Sequence, residues 1–347
     1  MLQMMRILRK RTEIGIALIT LLLIVGFTAT SRGVWLSEAN MREVLRVTSI
    51  LVIMAFGEAL VITTGEIDIS VGSIFGIVGI IYIAIGPHIG APLAILIALG
   101  VALIIGSLNG FVVSYFRVSS LVVTLGTLFV FRGLALAATQ TVSHYDAGET
   151  MRANPIYQIF GSSSVLDYNN ALVWALVIFL LLQYVLFWTP IGNWLLAVGG
   201  NAESAHSRGV NVMWTKWGAY IACAFLAGLA GILEAGDLSY ADGGLGRQRE
   251  LQAIAAVVLG GTALFGGRTS LVGTILGAFI LSGIQSYLVI KGMNPQWFIL
   301  LLGLIVVLVS LAEHGLTHIL TSRATKAPEE ADKTLPQSIP GELGELK

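Results

Sequence analysis

The stretch VITTGEIDISVGSIFGIVGI (residues 61–80) places Glu66 and Asp68 two residues apart in one of the most apolar parts of the chain. A carboxylate at mid-bilayer costs about 2.5–3.5 kcal/mol on insertion scales, so two of them would nearly cancel the gain from several Leu or Ile residues. The pair must therefore face something other than lipid.

The surroundings are membrane-like throughout. The chain has 347 residues, 56% hydrophobic and 12% charged, against about 25% charged in soluble domains, and its mean hydropathy is +0.84. An ordinary soluble protein is excluded. Apolar runs of 16 to 25 residues recur along almost the whole length, and a helix needs about 20 such residues to cross about 30 Å of hydrocarbon. The expected fold is an all-α polytopic membrane protein, since the alternation of a membrane barrel over about 10-residue segments is absent.

Ten spans are expected, at 13–31, 47–64, 70–86, 91–115, 120–139, 171–189, 216–236, 251–265, 271–290 and 297–314. They divide the chain into a cytoplasmic segment (1–12), a membrane domain (13–320) and a disordered cytoplasmic tail (321–347) that mixes Pro, Glu, Lys and Gly without apolar periodicity. The longest breaks are a periplasmic loop at about 140–170 and a cytoplasmic loop at about 190–215. An even span count puts both termini on one side. The cluster Arg6, Arg9, Lys10 and Arg11 before the first span makes that side the cytoplasm, because the first helix usually dominates orientation.

In this orientation the halves formed by spans 2–5 and 7–10 run oppositely. Each half holds a Gly-broken segment, TTGEIDISVGSIFGIVG in the first and LGGTALFGGRTSLVGTILG in the second. Gly-interrupted segments at matching places in inverted repeats point to a transport pathway. Asp68 has two compatible roles there. As a cap of the third span, helped by Ser70, it accepts backbone N–H groups of the first turn; as a pathway group, it hydrogen-bonds a polyhydroxylated solute. Glu66, next to Gly65, fits the cytoplasmic interface. Candidates for the pathway and its helix break are Gly65, Glu66, Asp68, Ser70, Gly72, Ser73, Asn109, Thr124 and Arg132. Glu58, Glu234 and Asn109 fit helix-to-helix hydrogen bonds, whereas Arg132 needs a carboxylate, carbonyls or water.

Other residue types offer little chemistry. The formal net charge is zero, which gives no case for nucleic acid. Cys223 is alone and reads as a small buried hydrophobe. His314 and His318 have the i, i+4 spacing of metal ligands, but no third ligand cluster accompanies them and a helix-end role fits better. No metal site and no catalytic Ser/His/Asp or paired-carboxylate constellation is expected.

Four stretches, TGEIDISVGS, SLNGFVVSYFRVSSLVVTLGTLFVFRGLAL, AVGGNAESAHSRGVNV and ELQAIAAVVLGGTALFGGRTSLVGTILGA, together resemble the permease subunits of bacterial ABC importers for ribose, arabinose, galactose, xylose and related sugars. The resemblance implies a homodimer of ten-helix permeases in the inner membrane, a cytoplasmic ABC ATPase subunit and a periplasmic solute-binding protein. This chain has no G-x-x-x-x-G-K-[ST] phosphate loop, so ATP and Mg belong to the ATPase and no cofactor is expected here. The family's coupling segment corresponds to residues 199–212. There Gly200, Asn201, Glu203, Ala205, His206, Arg208 and Gly209 are the contact candidates, small residues allowing close packing and Asn201 and Glu203 capping a short helix.

Departures from the family pattern lie at SAHSRG, where A-A-R-L-S-G is common, at Glu66 in place of a Gly, and at Gln252 in place of an acid. The last two fit a different solute, a polyol among them. Two other functions stay open: an ion-coupled secondary transporter using Glu58, Glu66 and Asp68, and an ABC permease for a non-sugar solute such as branched-chain amino acids.

Overall fold

A computed structural model describes residues 12–139, 144–161, 164–165 and 168–311. The basic cluster at 6–11, the pair His314 and His318 and the tail from 321 lie outside the described residues.

Among the described residues, eight helices are long and apolar enough to cross a membrane. They are α1 (Thr12–Thr30), α2 (Glu38–Thr63), α3 (Val71–Ile89), α4 (Ala91–Tyr115), α5 (Ser120–Ala138), α8 (Asn170–Trp188), α11 (Val212–Leu238) and α13 (Leu271–Ile290). Between α5 and α8 lie the short α6 (Gly148–Arg152) and α7 (Pro155–Phe160); between α8 and α11 lie α9 (Pro190–Gly200) and α10 (Ala202–Ser207). The remaining two expected spans are also helical but shorter: α12 (Arg249–Leu259) and α14 (Gln296–Leu311). With 11 residues, α12 covers about 16 Å, roughly half the hydrocarbon thickness. Apolar residues continue to Phe265, but Gly260 closes the helix and Gly261 turns the chain at φ 85°.

The centre of the bundle is α11, packed against α2, α3 and α4. Small residues set these crossings: a Cβ on Gly57 would lie 2.8 Å from Cys223 Cα, and one on Gly231 would collide with the Phe75 carbonyl. With little hydrophobic drive between helices inside lipid, such backbone approach is what holds them together. The opposite face is apolar and exposed, as with Leu22 on α1, Phe129 on α5 and Leu181 on α8. That is the surface a bilayer solvates.

The expected loop at 140–170 is ordered where it is described. Strand β1 (Tyr145–Asp146) pairs antiparallel with β4 (Tyr240–Ala241), and β2 (Ser164–Val165) pairs with β3 (Tyr168–Asn169). Tyr157 on α7 is buried, and its hydroxyl donates to the Gly236 carbonyl at 2.8 Å, tying this segment to the end of α11.

Candidate functional site

Between α2 and α3 the chain leaves helix for the residues 64–70. Gly65, at φ 82°, makes the turn that an L side chain resists. Non-helical backbone at membrane depth is tolerated only where its polar groups are satisfied internally or by water, and here each N–H finds an acceptor. Glu66 N donates to the Val61 carbonyl at 3.3 Å. Ile67 N reaches Ser120 Oγ (3.4 Å), Asp68 N reaches Glu58 Oε1 (3.1 Å), Ile69 N reaches Thr124 Oγ1 (3.2 Å) and Ser70 N reaches Asp68 Oδ1 (2.8 Å). Side chains from α2 and α5 thus hold an unwound stretch open.

Asp68 does this work differently from the expected cap. It does not reach the N–H groups of α3's first turn; Ser70 is the capping residue and makes no side-chain cap bond. Asp68 Oδ1 instead closes a turn onto Ser70, accepting from its N–H and its hydroxyl. The short side chain spans two residues and no further, and Ser70 is already in helical conformation, so the carboxylate stops one residue short of α3. Ser70 Oγ accepts from Asn109 Nδ2 at 2.9 Å, and Asn109 Oδ1 accepts from Thr127 at 2.6 Å. Ser73 Oγ donates back to the Ser70 carbonyl at 2.8 Å. Asp68, Ser70, Ser73 and Asn109 therefore form one buried network, joined to α5 through Thr127, while buried Thr124 meets the same stretch at the Ile69 N–H. Asp68 Oδ2 is buried without a hydrogen-bond partner among the described residues.

Gly72 and Arg132 belong to a second feature. The run from Ser239 to Gln248 descends beside α3, where Gly72, Gly76 and Gly79 open a groove. Side chains at Gly72 and Gly76 would collide with Glu250 and with the Leu245 carbonyl. Arg132 donates to the Leu245 and Gly246 carbonyls at 2.8 and 2.9 Å, and its guanidinium lies 3.8 Å from Glu250. Both partner types that the sequence demanded of Arg132 are present. Nearby, Arg249 grips Glu234 through two bonds and lies 3.3 Å from Gln252.

The two Gly-broken stretches do not occupy matching places in oppositely oriented halves. Gly267 N donates to the Thr63 carbonyl at 3.0 Å, and Gly266 lies against Gly65, so both breaks sit at one end of the bundle. By element order, the counterpart of 64–70 is the run 239–248 after α11.

At the shared end lies the expected coupling segment. Gly199 packs on Thr63 and Gly267. Asn201 Oδ1 accepts from Ser204 N at 2.7 Å and caps α10. Glu203 occupies the first turn of α10 without a cap bond, Ala205 is buried, His206 is in the last turn, Arg208 is the C-cap and Gly209 turns at φ 87°. A Cβ added to Gly200 would meet open space. Glu66 lies apart from the buried network and pairs with Lys216. Both line a half-open cavity of about 790 Å³ with Arg117, Glu203, His206 and Asn211. The described residues contain no cluster of three or more potential metal ligands.

Sequence reasoning missed Ser120 and Thr127 and did not pair Lys216 with Glu66. The only available signal was the number of N–H groups that an unwound stretch must satisfy.

A family model described as branched-chain amino acid transport system, permease component, matches residues 40–310. The ribose import permease protein RbsC of Escherichia coli strain K12 is 34% identical over 300 residues, 86% of this chain and 92% of that one. The probable ABC transporter permease protein y4mJ of Sinorhizobium fredii is 34% identical over 294 residues, 83% and 84% of the two chains. The autoinducer 2 import system permease protein LsrC of Yersinia pseudotuberculosis is 31% identical over 304 residues, 87% and 84%. No solved structure gives a significant match.

Proposed function

The chain belongs to the family of branched-chain amino acid transport system permease components, and on that premise we propose that it is the membrane subunit of an ATP-driven importer for a pentose, a hexose or a polyol. The observation that carries this reading is similarity to a ribose import permease over 92% of that protein's length. A permease of this kind makes and breaks no bonds. Its work is to offer a shaped passage that opens to one side at a time.

In this reading a periplasmic solute-binding protein delivers the solute, a cytoplasmic ABC ATPase binds ATP and Mg, and two copies of the chain enclose the pathway. Both termini are cytoplasmic, as is the end that gathers 64–70, 199–216 and 260–270. The α9–α10 hairpin docks on the ATPase through Gly200, Asn201, Glu203, His206 and Arg208. The buried network around Asp68 and Ser70 and the groove of Gly72 and Gly76 shape the passage. Arg132 fixes the descending run beside it.

The solute-binding protein proposed to serve this chain, purified and screened against pentoses, hexoses, polyols and branched-chain amino acids, tests the solute class. It is expected to retain a sugar or polyol, and deletion of this chain should abolish uptake of that same compound. Retention of branched-chain amino acids alone would overturn the sugar reading.

A further inference from the structure

We propose that the Glu66–Lys216 ion pair is a coupling strut, the positioning contact that passes movement of the α9–α10 hairpin to the unwound stretch before α3. The proposal rests on the import reading above.

The path from the hairpin to Lys216 has no slack. Gly209 N donates to the His206 carbonyl at 2.9 Å and Val210 N to the Ala205 carbonyl at 3.1 Å. Asn211 then caps α11 by accepting from Trp214 N at 3.1 Å, and Thr215 N donates to its carbonyl at 3.0 Å. A displaced α10 therefore carries the first turn of α11 with it.

From that turn, two contacts cross to the break. Lys216 Nζ pairs with the Glu66 carboxylate. One turn further along the same face, the Tyr220 hydroxyl donates to the Ile67 carbonyl at 3.4 Å. The residues gripped are adjacent, and they lead directly into Asp68 and Ser70, whose hydrogen bond closes the turn just ahead of α3. The ion pair is also shielded: the Lys216 and Glu66 side chains are only 20% and 17% exposed, so salt screens it less than a surface pair. A lysine that merely extended toward water would not need a carboxylate 150 residues away or a second contact beside it. The cavity along the pair leaves room for the hairpin to move.

A readout that needs no knowledge of the solute tests this. In a Cys223→Ala background, Ile69→Cys reports on the break through its rate of modification by N-ethylmaleimide, measured on the chain assembled with its ATPase, with and without MgATP. MgATP should change that rate. Glu66→Gln and Lys216→Met, at matched assembly and melting temperature, should each shrink the change by about three- to tenfold. The exchange Glu66→Lys with Lys216→Glu should restore most of it. A parent that does not respond, single variants that respond like the parent, or an exchange no better than the singles would overturn the strut. ATP dependence of uptake by the unmodified chain is scored separately, and its absence sinks the importer reading instead.

Discussion

Asp68 Oδ1 accepts both the N–H and the hydroxyl of Ser70, and an Asn side chain can supply the same carbonyl oxygen without charge. Asp68→Asn should therefore keep substantial uptake at matched membrane abundance, whereas Asp68→Ala leaves a buried N–H unpaired, at about 1–3 kcal/mol, and should lose most of it. Equal inactivity of a folded Asn variant would instead mean that the charge binds a coupling ion. Arg132 is tested by its two carbonyl contacts. Arg132→Met should lower stability by about 1.5–3 kcal/mol, and Arg132→Lys should fall between, since an ammonium lacks the fork that meets two acceptors at once. Melting in detergent reads both; an unchanged Met variant would contradict the assignment. The need for such partners was legible in the sequence because charge in lipid must be satisfied. Their identities were not, because Leu245 and Gly246 lie more than a hundred residues from Arg132.

At the scale of elements, apolar run length found a helix in each of the ten expected spans, since lipid selects for it directly, but not the short α6, α7, α9 and α10. It failed at α12, where GGTALF reads as apolar while its two glycines end the helix. It also failed in matching the two Gly-broken stretches, because a shared local motif says nothing about which ends meet. The groove on α3 gives an element-level prediction. Gly76→Ala places a methyl against the Leu245 carbonyl and must push the 239–248 run away from α3, so uptake should fall sharply even though Ala favours helix. Wild-type uptake by that variant would show that the run does not shape the passage. The hairpin proposed to dock is best probed at Gly200, where an added Cβ would meet open space, rather than at Gly209, whose positive φ strains any substitution. Gly200→Trp should block assembly with the ATPase while leaving the permease folded, and unchanged co-purification would count against this docking face.

For the molecule as a whole, the breaks at 64–70 and 260–270 and the α9–α10 hairpin converge at one end of the bundle, while the described part of the 144–161 segment covers α11 at the other. That arrangement suits a passage worked from one end by a motor and loaded at the other. In the proposed orientation Asn201 is cytoplasmic: in a Cys223→Ala background, Asn201→Cys should resist an impermeant thiol reagent added outside intact cells, and rapid labelling would invert the orientation. In the proposed mechanism ATP, spent by a partner, drives this chain rather than an ion gradient acting on Glu58, Glu66 and Asp68. The most direct measurement follows uptake of the solute retained by the binding protein, in cells depleted of ATP and in cells treated with an uncoupler while ATP is maintained. Uptake should stop in the first and continue in the second. Uptake that survives ATP depletion and collapses with the uncoupler would make the chain an ion-coupled carrier instead.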